Sequence, residues 1–261
     1  MSSSPVSDAC PSVGIVGLGA FGRLIAQHLA PHCRLLAYDP VVMSGDHGAV
    51  AATLRATASC SVVILAVPVS RLGEAVAAIA PHLRQGTLVI DVGSVKTVPV
   101  KVMREGLPPH VEILATHPLF GPQSASDGIR GLKIAVCLVR GRRGFRAAAF
   151  MRKTLGLDVI VTTPEAHDRE AATVQGLTHL IAKVLVSMEP LPTRMTTRSF
   201  ELLMQAVGMV RHDAPEVFQA IEQLNPYAAG VRQRFFALAS ELEADLADDP
   251  AVEPGKLHPT G

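Results

Sequence analysis

The sequence predicts a doubly wound α/β fold: a parallel sheet covered on both faces, followed by an all-helical C-terminal unit. Three observations carry this. Over the first 160 or so residues, short apolar runs alternate with longer amphipathic stretches, the signature of β–α–β units. The apolar runs are nearly continuous rather than alternating, as strands buried on both faces are. Beyond Pro164 no convincing strand follows, and apolar residues recur at helical spacing instead.

The elements follow in order. "SVGIVG" reads as the first strand, and Ala20 to Leu29 as a helix. "CRLLAYD" is the second strand, followed by a variable region rich in small residues. "SVVILAV" precedes a helical stretch from Ser70 to Leu83, and "TLVIDVG" precedes one from Val95 to Arg104. "VEILAT" leads into "HPLFGP". "LKIAVCLV" and "LDVIVT" flank the helical run "RGFRAAAFMRKTLG". In the second unit, "EAHDREAATVQGLTHLIAKVLVSM" predicts one long helix, broken by Pro190 and Pro192. Thr196 to Arg211, Pro215 to Leu224 and Ala228 to Leu246 predict three more. We therefore expect a nucleotide-binding unit over 10–164, a helical unit over 165–247 and a disordered tail over 248–261.

Composition narrows the function. Hydrophobic residues are 48% and charged residues 18% of the 261, enough for a sizeable core. No apolar run approaches the roughly 18 residues that span a bilayer, so no membrane partner is expected. The start "MSSSPVSDACPS" has no basic n-region or apolar h-region, which argues against a secretory leader and for a cytoplasmic protein. A net charge of +1 and the absence of tryptophan give no reason to expect nucleic acid. Cys10, Cys33, Cys60 and Cys137 are scattered, with no C-x-x-C pair; buried reduced thiols outweigh disulfides, and no metal site is expected. The basic cluster Arg140, Arg142, Arg143, Arg146, Arg152 and Lys153 reads as a solvated face.

Gly17, Gly19 and Gly22 have G-x-G-x-x-G spacing. The pattern is weak alone, but here it follows a strand and opens a helix, the context it needs. Gly17 permits the tight turn, Gly19 lets backbone approach a pyrophosphate at the helix N-terminus, and Gly22 allows close helix–strand packing. Asp39 ends the second strand, 22 residues after Gly17, where a carboxylate accepts from ribose hydroxyls. With no arginine beside it, NAD is favoured over NADP. The expected cofactor-binding set of this Rossmann-type unit is Gly17, Leu18, Gly19, Ala20, Phe21, Gly22 and Asp39, with Val67 and Pro68 at the end of "VVILAVPVS".

In an open α/β sheet ligands collect at the carboxyl ends of the strands. "TLVIDVGSVK" ends at Ser94 and Lys96, and "VEILATHP" at His117. Ser94 and His117 are the expected catalytic pair, facing each other across the nicotinamide position. A hydroxyl there orients the imidazole, and neutral histidine is a good general base near pH 7. A serine hydrolase is the poorer reading, because Ser94 lies in "VGSVK" and not in a G-x-S-x-G elbow. His28, His32, His82, His110, His212 and His258 are assigned surface or packing roles, and His47 a loop. On the long helix Gln175 and His179 are i, i+4 and share a face. Thr197 and Arg198 lie near a helix start, where an anion would find backbone donors.

With these residues in view, the chain resembles the prephenate/arogenate dehydrogenases of tyrosine biosynthesis. The resemblance runs from "VGIVGLGAFG" through "DVGSVK" and "THPLFGP" to "HDREAATVQGLTHLIAKVL". It implies a homodimer built through the helical unit, and NAD(P)-dependent oxidative decarboxylation with His117 as base and Ser94 holding it in register. It places Gln123, Ser124, Asp127, Gln175, His179 and Arg198 about the substrate. Enteric-type members carry a carboxylate-gripping arginine near Glu201; here "TTRSFELL" stands instead, similar to the plant-type "TKGYETLL". Asp127 matches an aspartate of that plant group and suits the ammonium of arogenate, although it also suits a turn cap beside Gly128. Two rivals stand beside this reading. One is another two-domain dehydrogenase, of the β-hydroxyacid or pyrroline-carboxylate reductase type. The other is a non-catalytic nucleotide sensor, which would not need Ser94 and His117.

Overall fold

The computed structural model describes residues 11–42 and 47–248. Among them one sheet has eight strands in the order β3-β2-β1-β4-β5-β6-β7-β8. The strands are β1 (Ser12–Val16), β2 (Arg34–Tyr38), β3 (Ala49–Ala51), β4 (Val62–Leu65), β5 (Leu88–Asp91), β6 (Glu112–Pro118), β7 (Lys133–Arg140) and β8 (Asp158–Val161). The helices between them are α1 (Ala20–Leu29), α2 (Leu54–Ala58), α3 (Leu72–Ile79), α4 (Thr97–Gly106) and α5 (Arg143–Lys153). From β3 to β6 across the sheet all pairings are parallel. The order reverses between β1 and β4, which opens a crevice beyond their carboxyl ends.

Two features add detail to the expected doubly wound sheet. β7 pairs antiparallel with β6, while β8 is parallel to β7. The cause is the connection. No helix joins β6 to β7, only a loop, so the chain turns back beside itself; α5 then supplies the crossover that makes β8 parallel to β7. The short β3 lies in the region read as merely variable: three residues, Ala-Val-Ala, give no periodicity to detect.

The core forms two layers. Ile15, Leu35, Ile64, Ile90 and Leu114 pack on the α1 and α5 side. Val63, Leu65, Val89, Ile113 and Cys137 pack on the side of α3 and α4. Arg140 and Arg143 act within this frame. Arg140 Nε donates to Val111 O (2.8 Å) and Arg143 Nη1 to Ser61 O (2.9 Å), so both bind loop carbonyls. Cys60 and Cys137 carry free thiols, and burial pushes Cys137 up to about 12.

After the sheet come α6 (Pro164–Ser187), α7 (Arg198–Val210), α8 (Pro215–Gln219) and α9 (Ala228–Asp248). Thr163 caps α6 by accepting from Ala166 N, with Pro164 in the first turn. Thr197 caps α7 in the same way through Phe200 N. A π-helical turn, Ala220–Leu224, continues α8. α6 is the hub of this part, packing on α7, α9 and the π turn, and it also touches α4. Cys10 and the expected tail, apart from Asp248, lie outside the described residues. No described helix is long and apolar enough to cross a membrane.

Candidate active site

The glycine loop is built as its spacing requires. Gly17 has φ +101°, and a Cβ there would stand 2.4 Å from Ala66 O. A Cβ on Gly22 would stand 2.1 Å from Gly17 O. Gly19 is different: nothing lies within 4 Å of the position its Cβ would take. Gly19 is also the N-cap of α1, without a side-chain cap. The start of α1 therefore offers backbone N–H groups to open space, which fits a pyrophosphate. Val67 and Pro68 follow β4 beside this turn, with Val67 Cγ1 3.3 Å from the Gly17 Cβ position. Asp39 Oδ2 accepts from Leu18 N at 2.8 Å, and Oδ1 from Val41 N and Val42 N. Burial raises the Asp39 carboxyl, but those three N–H groups and Arg23 outweigh it and hold it below its ordinary value. An ionised carboxylate thus stands at the end of β2, tied to the glycine loop.

His117 sits on β6, 4% exposed and paired with Ala135 of β7. Its Nδ1 lies 2.9 Å from His167 Nε2, so the partner that orients it is His167 and not Ser94. Ser94 is half-buried in the loop after β5. The reason is geometric: α6 begins against α4 and delivers the first-turn residues His167 and Asp168 to the end of β6. His167 Nδ1 is 2.8 Å from Asp168 Oδ1. Asp168 is wholly buried and also accepts from Lys96 N (2.7 Å) and Thr97 N (2.8 Å). Burial raises Asp168, but the hydrogen bonds from His167, Thr97 and Lys96 prevail and hold it below the usual carboxylate value.

These contacts assign the tautomers. An ionised Asp168 can only accept, so His167 donates from Nδ1. With His167 accepting at Nε2, His117 donates from Nδ1 and keeps its lone pair on Nε2. Burial, then His167, then Lys96 push His117 well below its ordinary 6.5. The imidazole is therefore neutral at pH 7, as a base must be. His167 and Asp168 were not singled out by the spacing arguments, and Lys96 was named only as a strand-end residue without a role. No local spacing ties the "HD" near the head of the long helix to a strand end fifty residues earlier.

A second cluster lies farther along α6. His179 Nδ1 is 3.0 Å from Gln175 O, and its Nε2 is 3.2 Å from Asp213 Oδ2. Asp213 Oδ1 and Gln123 Oε1 both lie near Gly121, at 3.7 and 3.5 Å from its Cβ position. His179 thus meets the loop after His117 by way of Asp213. His167 and His179 stand about 18 Å apart along the helix axis. Gln175 lies between, its Oε1 buried without a partner among the described residues. In the loop, Ser124 Oγ accepts from Gly121 N at 2.9 Å and shapes the turn. Gln123 and Asp127 are exposed. Arg198 is exposed too, its side chain 72% accessible and 3.4 Å from Glu201, so no described contact brings it to the His117 cluster. Among the described residues no three His, Cys, Asp or Glu are grouped to hold a metal.

The glycine loop, the switch-point crevice and the helical unit define a nucleotide-binding α/β fold with a helical partner. A family model, "Prephenate dehydrogenase, nucleotide-binding domain", matches residues 45–132. A probable arogenate/prephenate dehydrogenase of Methanocaldococcus jannaschii is 29% identical over 202 residues, 72% of this chain and 44% of that protein. Arogenate dehydrogenase 1, chloroplastic, of Arabidopsis thaliana is 27% identical over 271 residues, 94% of this chain and 40% of that protein. The chain thus spans less than half the length of these two relatives. Among solved structures, prephenate dehydrogenase from A. aeolicus, in complex with hydroxyphenyl propionate and NAD+, shares the fold. Its TM-score is 0.71 at 20% identity, covering 92% of each chain. The chain is thus similar in sequence to the prephenate/arogenate dehydrogenases and shares the fold of a solved member.

Proposed function

We propose that the chain catalyses NAD(P)-dependent oxidative decarboxylation of a cyclohexadienyl acid, prephenate or arogenate, in tyrosine biosynthesis. The observation that carries this reading is His117: buried near the end of β6, its Nδ1 held by His167 and through it by Asp168, on the sheet edge that also carries the glycine loop; we assign the proton-accepting role to its Nε2. The relatives named above support the substrate class.

The open space at Gly19 and the uncapped start of α1 fit the pyrophosphate, and Asp39 fits the ribose hydroxyls. Leu18, Ala20, Phe21, Val67 and Pro68 complete the cradle. The bound dinucleotide supplies the electron acceptor for oxidation at the ring carbinol. An ionised Asp39 repels a 2′-phosphate, which is why we favour NAD over NADP.

His117 Nε2 takes the proton of the ring hydroxyl as that carbon is oxidised. The positive charge that develops on the imidazole is met through His167 by Asp168. Oxidation conjugates the ring carbon with the carbon bearing the carboxylate, so carbon dioxide leaves and the ring becomes aromatic. Ser94 is assigned to the substrate hydroxyl, and Gln123, Ser124, Gln175 and His179 to the substrate side of the helical unit. His179 acts through Asp213 on the loop that carries Gln123. Asp127 is assigned to reading the side-chain amine, and Arg198 to the anionic end.

We also assign 10–164 to cofactor and 165–247 to substrate and dimerisation. Exposed apolar side chains on α7 and α9, among them Leu202, Met209, Leu238 and Leu242, support a homodimer through this unit. Steady-state rates with both acids and both cofactors test the assignment. The expected result is turnover of at least one acid, with NAD preferred. In Asp127→Asn the arogenate-to-prephenate ratio of kcat/KM should fall; an unaltered ratio would remove Asp127 as the selector. Turnover of neither acid would overturn the function.

A further inference from the structure

We propose that the buried Lys96–Asp91 pair is a positioning device for His117: it fixes the end of β6 and holds a cation where it disfavours a protonated imidazole. The proposal rests on the reading of His117 as the base.

The geometry begins at a ladder end in the sheet. The β5–β6 ladder ends at the pair Asp91↔Ala115, yet β6 runs on to Pro118. Thr116 and His117 therefore extend past the last register pair with β5. Lys96 and Asp91 hold this extension. Lys96 Nζ donates to the carbonyl of Thr116, the residue before His117, and to Asp91 Oδ2. Thr116 Oγ1 donates to Asp91 O at 2.7 Å. The backbone N–H of Lys96 donates to Asp168 Oδ1, the atom that orients His167. One lysine thus meets both supports of His117, the strand beneath it and the relay beside it.

Lys96 has no exposed surface, and Asp91 is 1% exposed. Burying such a pair seldom adds stability over apolar side chains of similar volume. Anchoring a strand end does not by itself call for a charge. A cation beside a histidine that must stay neutral gives the charge a purpose. The titratable groups packed around this position are His167, Asp168 and Glu165 from α6, Asp91 from β5, Lys96 itself and Cys137 from β7. Burial pushes the Asp91 carboxyl up against the pull of the Lys96 ammonium.

The test is a histidine NMR titration of the unliganded protein from about pH 8 to about pH 4, the span in which imidazoles titrate. His117→Asn assigns the resonance. Lys96→Met should raise the His117 midpoint by about one unit, roughly tenfold in proton affinity. Asp91→Asn should lower it, and Asp91→Asn/Lys96→Met should return it toward wild type. Should Lys96→Met fail to fold, the double variant still tests the idea, because its midpoint must lie above that of Asp91→Asn. Unchanged midpoints, or a shift of the same sign in both single variants, would overturn the proposal. The acid limb of kcat/KM should follow the NMR midpoints. If the midpoints move as expected and the acid limb does not, the positioning role stands and His117 is not the base.

Discussion

His117, the proposed base, shows how little of a residue's character lies in its own side chain. Its tautomer is dictated two residues away, by a carboxylate that can only accept. Asp168 orients His167, caps the start of α4 and supplies the counter-charge for an imidazolium. Asp168→Asn keeps the size but removes the charge. Charge-assisted hydrogen bonds to Lys96 N, Thr97 N and His167 weaken, which should cost about 1–3 kcal/mol of stability by denaturant unfolding. Because His167 no longer has to donate from Nδ1, kcat should fall roughly tenfold, with KM little changed. A normal kcat in the folded variant would mean that the relay does not orient the base. The histidine itself was legible, since a strand ending on a titratable residue ahead of "PLFGP" is unusual in a core. Its partner was not, because fifty residues and a change of unit separate His167 from His117. No local pattern reports that α6 begins against α4.

At the scale of elements, the β1–α1 turn was the most legible piece, because each glycine answers a local steric demand. The structure separates those demands and so predicts two different failures. Gly22→Ala would press a methyl against Gly17 O, 2.1 Å away, and should destabilise the fold by about 1–3 kcal/mol, as overpacking does. Gly19→Ala meets nothing within 4 Å, so its melting temperature should stay close to wild type. Its affinity for NAD should fall, because the methyl enters the space left for the pyrophosphate. Calorimetric titration beside thermal melts checks both; normal NAD binding by Gly19→Ala would place the cofactor elsewhere. The reversal at β7 was harder to read. Apolar strands look alike in either direction, and only the missing helix between Pro118 and Lys133 hinted at it. The pairing of Ser94 with His117 failed for a related reason: adjacent strand ends bring residues near one another without choosing which atoms meet.

At the scale of the whole molecule, the helical unit leaves apolar side chains open along α6, α7 and α9. Val184 and Met188 on α6, Leu202 and Met209 on α7, and Leu238, Leu242 and Leu246 on α9 are all exposed. Surface of this kind on adjoining helices is what the proposed homodimer would bury. Light scattering should give twice the chain mass. Leu242→Glu/Leu246→Glu should shift the protein toward monomer, and a wild-type monomer at micromolar concentration would refute the dimer. The helices were legible from their spacing, whereas their exposed faces became visible only once the core was assembled. The central claim concerns one atom, Nε2 of His117, and turnover of His117→Asn tests it most directly. Asparagine preserves the polarity and much of the volume but cannot take the proton. We predict that kcat falls by roughly 10²–10⁴-fold while calorimetric titration shows NAD bound as in wild type. Turnover within a factor of about two of wild type would contradict the account.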